Sequence, residues 1–117
     1  MIQESVNYAV HRYDNVKRVG IMATDGTIGS KIYHKACRKE GVTPVQPSAE
    51  RQADVMSLIY DDIKAGQSGD RAKFDRVVRD FMSKGCDVII LECTELSEFK
   101  GKHEVASICL DAMDVLV

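Results

Sequence analysis

Gly85-Cys86-Asp87-Val88-Ile89-Ile90-Leu91-Glu92-Cys93-Thr94-Glu95 is the stretch on which the fold turns. A glycine stops a helix, a short and fully apolar strand core runs from Val88 to Leu91, and Cys93, Thr94 and Glu95 follow at once. In an open parallel α/β sheet, ligands bind at the carboxyl ends of the strands. A thiol placed there beside a hydroxyl and a carboxylate suits proton or nucleophile chemistry. The competing reading is a small core cysteine that ends a strand, because free Cys is often buried.

Working outward, the segment before this strand carries the clearest helical pattern. Phe74, Val77, Val78, Phe81 and Met82 recur at i, i+3, i+4, i+7 and i+8 between Asp70 and Gly85. Upstream, Gly66-Gln67-Ser68-Gly69 breaks a helix that Ser48 caps and whose apolar stripe is Val55, Met56, Ile59 and Ile63. Val42 to Val45 is a short strand closed by Pro47, preceded by one helix over Ile28 to Glu40 with Gly41 as its C-terminal cap. Val16 to Ala23 is the first strand, and Ile2, Val6, Ala9, Val10 and Tyr13 form an opening amphipathic helix. Downstream, a last short strand lies near Ala106 to Leu110, and Asp111 to Val117 has the pattern of a helix's first two turns.

Strands alternating with helices imply a parallel sheet with right-handed crossovers. The expected fold class is α/β: a three-layer α/β/α domain with a four-stranded parallel sheet, flavodoxin-like, with the first and third strands central. At 117 residues the chain is read as one domain, 1–117.

Composition narrows the function. A hydrophobic fraction of 44%, a charged fraction of 29% and a net charge of −2 are ordinary for a globular domain and give no electrostatic reason to expect nucleic acid. No apolar run approaches the ~20 residues that cross a bilayer, and the first residues lack the basic and apolar regions of a signal peptide, so a cytoplasmic protein is expected. The cysteines at 37, 86, 93 and 109 form no C-x-x-C pair and no His spacing completes a zinc site, so no metal is expected. Cys37, Cys86 and Cys109 read as packing residues. His11, His34 and His103 share no spacing and read as surface or edge residues.

Thr24-Asp25-Gly26-Thr27 is the second loop at a strand's carboxyl end. It leads into a helix, whose free N–H groups favour a phosphate or carboxylate, although Thr27 and Gly26 also suit a plain cap and turn. At Cys93, N–H donors lower a thiol pKa from roughly 8.5 and hold some thiolate at neutral pH; Glu95 would orient the thiol or accept its proton, or be an ordinary solvated residue. A C-x5-R phosphatase loop fails because Phe99 stands at the Arg position, Met22-Ala23-Thr24 lacks a receiver domain's acidic pair, and Gly26 and Gly29 lack the dinucleotide spacing. The T-x-x-T turn is a near-miss for a flavin loop, in a chain with no Trp.

Several of these stretches resemble one family. Val19-Gly20-Ile21-Met22-Ala23-Thr24-Asp25-Gly26-Thr27, the opening Met1-Ile2-Gln3-Glu4-Ser5-Val6, the pattern Gln52, Val55, Ile59-Tyr60, Ile63-Lys64-Ala65-Gly66, and Gly85 to Glu95 resemble, in order, the second half of aspartate/glutamate racemases. That resemblance implies one lobe of a cofactor-independent, two-base racemase of the aspartate-racemase-like branch, with cysteines from two similar lobes facing opposite sides of the substrate α-carbon. It implies Cys93 as the acid/base assisted by Glu95, with Thr24, Thr27, Lys64 and Thr94 lining the substrate site. The implied partners are an amino acid or dicarboxylate and the N-terminal lobe of the same protein; a homo-oligomer is also expected, because a missing lobe would leave an apolar face open to pair. The family's first-lobe Cys-Asn-Thr is absent here, and Glu92 occupies the usual Gly position before the cysteine. Like charge there raises a thiol pKa and repels a dicarboxylate. The alternatives are a non-catalytic half-domain that binds small carboxylates or dimerises, and a related decarboxylase or isomerase of dicarboxylic acids.

Overall fold

The computed structural model describes residues 2–13, 15–105 and 108–111. Strands β1 (Arg18–Met22), β2 (Thr43–Val45), β3 (Val88–Leu91) and β4 (Cys109–Asp111) form one sheet in the order β2-β1-β3-β4, parallel at every pairing. The first and third strands are therefore central, as their apolar runs required. Val19 pairs with Val88 and Met22 with Leu91, so the central strands end level. Their amino ends are also pinned: Asp87 Oδ2 accepts from the N–H groups of Lys17 at 2.9 Å and Arg18 at 3.0 Å.

Side-chain alternation along the strands feeds two cores. Val19, Ile21, Val88 and Ile90 pack with α1 (Ile2–Arg12) and α3 (Ile32–Lys39) through Val6, Ala9, Tyr33, Ala36 and Cys37. On the other face, Met22, Ile89 and Leu91 pack with α4 (Ala49–Ser57), α5 (Arg71–Ser83) and α6 (Thr94–Lys102) through Val55, Phe74, Val77, Phe81, Leu96 and Phe99. Helices on both faces of a parallel sheet give the expected three layers.

Five local features depart from the expectations. The helix expected over Ile28 to Glu40 is two, α2 (Asp25–Ser30) and α3, because Lys31 adopts a left-handed conformation (φ 62°) between them. The helix capped by Ser48 continues past Ser57 into a π-helical turn over Leu58–Ile63, closed by the i→i−5 bond from Lys64 N to Ile59 O at 2.9 Å. Met82 is 54% exposed, since at about 100° per residue it lies well round the helix from Phe74. His34 is buried rather than at the surface, and burial beside the charge of Lys31 holds its imidazole below the ordinary value. The last strand sits at Cys109–Asp111, so Asp111 closes a strand instead of opening a helix; Ala106 and residues 112–117 of those two expectations lie outside the described residues. Among the described residues, no helix is long and apolar enough to cross a membrane.

Candidate active site

The order β2-β1-β3-β4 reverses direction between β1 and β3, and a crevice opens outside the carboxyl ends of strands at such a switch point. Cys93 stands there as the N-cap of α6. Its Sγ donates to Glu95 Oε2 at 2.7 Å, and Glu95 Oε1 lies 3.2 Å from Lys64 Nζ. Lys64 follows the π turn, whose extra residue rotates later side chains by about 100° relative to a continuing α-helix. Its ammonium sits 4.9 Å from the centre of the Tyr60 ring. Cysteine, carboxylate and ammonium thus form one continuous line.

Burial, then the hydrogen bond to the Glu95 carboxylate, push the Cys93 thiol up to about 11, against the backbone N–H groups of Glu95 and Leu96. The expectation that N–H donors would lower it is overturned, because desolvation of a thiolate and a neighbouring negative charge outweigh the helix start. The same hydrogen bond, followed by the Lys64 ammonium, holds Glu95 below the ordinary carboxylate value, and Glu95 raises Lys64 in return. At neutral pH the line is thiol, carboxylate and ammonium. The sulfur is a proton donor, and the carboxylate beside it can take that proton.

A second line runs on the other side of the sheet edge. Thr24 caps α2, accepting from Thr27 N at 3.5 Å, and the Thr24 and Thr27 hydroxyl oxygens lie 3.3 Å apart. The Thr27 hydroxyl bonds the Glu92 carboxylate, which burial pushes above its ordinary value. Glu92 N donates to Met22 O at 3.1 Å, extending the β1–β3 ladder into the loop. The two lines meet at the Glu92–Cys93 peptide. Thr94 is exposed in the first turn of α6 and makes no part of either.

Three supporting residues were not singled out as site residues from the sequence. Gln52 Nε2 donates to Ala23 O and to Asp25 Oδ1, each at 2.9 Å, tying α4 to the β1 loop. Ser97 Oγ donates to Asp111 Oδ1 at 2.6 Å and lies 3.4 Å from Cys93 O, so the buried end of β4 braces the turn that carries the thiol. An acidic residue directly after an apolar run was the available signal for Asp111. Among the described residues, no three His, Cys, Asp or Glu side chains gather to hold a metal. A groove of about 480 Å³ between α1 and α3 is lined by Ile2, Gln3, Ile32, Lys35, Ala36 and Lys39, with no cysteine, histidine or carboxylate among them.

The family model for Asp/Glu/hydantoin racemases matches residues 1–117. The uncharacterized protein in the pnlA 3′ region of Pectobacterium carotovorum subsp. carotovorum is 29% identical over 85 residues, 73% of this chain and 57% of that protein. Among solved structures, an aspartate racemase homologue from Pyrococcus horikoshii OT3 superposes with a TM-score of 0.78 at 22% identity, over 97% of this chain and 50% of that one. The aspartate racemase of Picrophilus torridus superposes with a TM-score of 0.70 at 20% identity, over 95% of this chain and 46% of that one. The chain spans about half the length of these structures, and at such identities they establish the fold. With the family model covering every residue, this chain belongs to the Asp/Glu/hydantoin racemase family.

Proposed function

We propose that residues 1–117 form one domain supplying one acid/base half of a racemase site, in which Cys93 exchanges a proton with the α-carbon of an amino acid or a related carbon acid. The observation that carries this reading is the 2.7 Å contact from Cys93 Sγ to Glu95 Oε2 at the carboxyl end of a central strand. In one direction the thiol gives its proton to the α-carbanion. In the other, Glu95 takes the thiol proton and the thiolate removes the α-proton. Lys64 offsets the charge of Glu95 and, with half its side chain exposed, reaches a substrate carboxylate; Thr94 offers that carboxylate an N–H from the first turn of α6. Thr24 and Thr27 line the opposite side. No cofactor is needed for this exchange.

One thiol serves one face of an α-carbon. Among the described residues, Cys37, Cys86 and Cys109 are buried in the two cores and unavailable for the other face, and we propose that the second thiol comes from another part of the protein or a second copy.

Alkylation tests the role of Cys93. Peptide mapping after iodoacetamide treatment should find Cys93 modified first, with Cys37 protected by its burial, and saturating aspartate should slow the Cys93 reaction severalfold. A Cys93 that reacts no faster than Cys37 would remove it from the chemistry.

A further inference from the structure

Strand alternation sends Glu92 and Cys93 to opposite sides of the sheet edge. Val88 and Ile90 face α1 and α3, whereas Ile89 and Leu91 face α4, α5 and α6, so Glu92 turns toward α2 and Cys93 toward Lys64. On the Glu92 side both threonine protons are already committed. Thr24 donates to Thr27 Oγ1, and Thr27, with one hydroxyl proton, donates to Glu92. An ionised carboxylate accepts at about four lone-pair sites, and the Thr27 hydroxyl fills one. Tyr33, packed below the same wall, is held firmly protonated by burial and by Glu92. This wall therefore offers acceptors and negative charge, while the opposite wall offers the Lys64 ammonium.

We infer that Glu92 sets the substrate class of this site by accepting an N–H from the ligand, either an ammonium or an amide N–H, and by turning away a carboxylate. The inference rests on the proposed role of Cys93. A ligand then lies across the sheet edge with its nitrogen at Glu92, its carboxylate or carbonyl at Lys64, and its acidic carbon over the thiol. Aspartate and hydantoin carry the required nitrogen. Succinate, which is aspartate without it, would present a C–H where Glu92 needs a donor, and would bring one more unit of net negative charge to a wall with no donor left on Thr24 or Thr27.

The test is protection of Cys93 from iodoacetamide in the intact protein, titrating aspartate, hydantoin and succinate. Aspartate or hydantoin should half-protect at a concentration at least about tenfold below that of succinate, the size of one charge-assisted hydrogen bond gained or lost. Glu92→Ala removes the N–H acceptor together with its negative charge, and should erase that ratio by weakening aspartate and hydantoin while easing the repulsion of succinate. Glu92→Gln keeps the size of the side chain and adds donors, so it should do the same and carries the test if the alanine variant folds poorly. Equal protection by succinate and the nitrogen-bearing ligands, or a ratio unchanged in both variants, overturns the inference about Glu92 alone. Protection by no ligand in any form means that Cys93 lies at no ligand site, and it overturns the proposed function together with this inference.

Discussion

Burial and the Glu95 carboxylate both penalise a negative sulfur at position 93, and together they outweigh the N–H groups at the start of α6. Burial is not visible in a local motif, which is why Cys93-Thr94-Glu95 read on its own suggested a lowered thiol pKa where burial and the carboxylate raise it. The pair stores its negative charge on Glu95, where Lys64 can balance it. Replacing that carboxylate separates the contributions. Glu95→Gln removes the charge and the anionic acceptor, leaving burial opposed by the backbone N–H groups, so the thiol should fall from about 11 toward 9.0. Each unit of that fall gives about tenfold more thiolate at a fixed pH below the pKa. The pH profile of Cys93 alkylation should therefore move to lower pH, and an unmoved profile would mean that Glu95 is not coupled to the sulfur. The stability linkage has the opposite sign of dependence. Because Glu95 is held below 4.5 in the fold, its contribution is present above that pH and is lost as pH falls through its native value.

At the scale of elements, the readable parts were those where one interaction dominates. Val88 to Leu91 needed only an apolar run, and α5 needed only its Phe74, Val77 and Phe81 spacing and the Asp70 cap, whose Oδ1 accepts from Ala72 N at 2.9 Å. The break at Lys31 left no mark, because a left-handed residue usually announces itself as Gly or Asn and here is a lysine. The π turn was equally silent. Val55, Ile59 and Ile63 keep an i+4 spacing that an α-helix satisfies, while the buried Asp62, paired with Lys73 at 3.0 Å, is a tertiary demand. One packing relation is testable directly. Gly20 faces α5, and a Cβ there would stand 2.7 Å from Phe81 Cδ1. Strand β1 approaches the helix this closely only without a side chain. Gly20→Ala must displace a fully buried ring and should cost about 1–3 kcal/mol, read as a lower denaturant midpoint. An unchanged midpoint would mean that α5 moves away freely. As β1 ends at the Thr24 loop, such movement would also alter the site.

For the whole molecule, the strand order matters more than any single motif. It brings the carboxyl ends of β1 and β3 together, and with them two loops nearly seventy residues apart in sequence, as the periodicity of the chain implied. What the periodicity could not convey is how the two loops divide. One wall holds Cys93, Glu95 and Lys64, and the other holds Thr24, Thr27 and Glu92. Both walls belong to one edge of one sheet, so under the proposed function this chain would meet an α-carbon from one side only. Racemisation needs proton removal on one face and delivery on the other. Cys37, Cys86 and Cys109 are 0%, 7% and 4% exposed and are pushed up to about 11 by burial, so none can serve that second face. The 117-residue chain by itself should therefore leave the optical rotation of L-aspartate and L-glutamate unchanged over hours at neutral pH, measured by polarimetry. A slow loss of rotation accompanied by deuterium uptake at the α-carbon in D2O, and abolished by Cys93→Ala, would overturn this prediction. That result would require either a second acid/base group other than cysteine within the same chain or two copies of Cys93 facing one substrate. The two differ in their concentration dependence, since only paired copies lose specific activity on dilution.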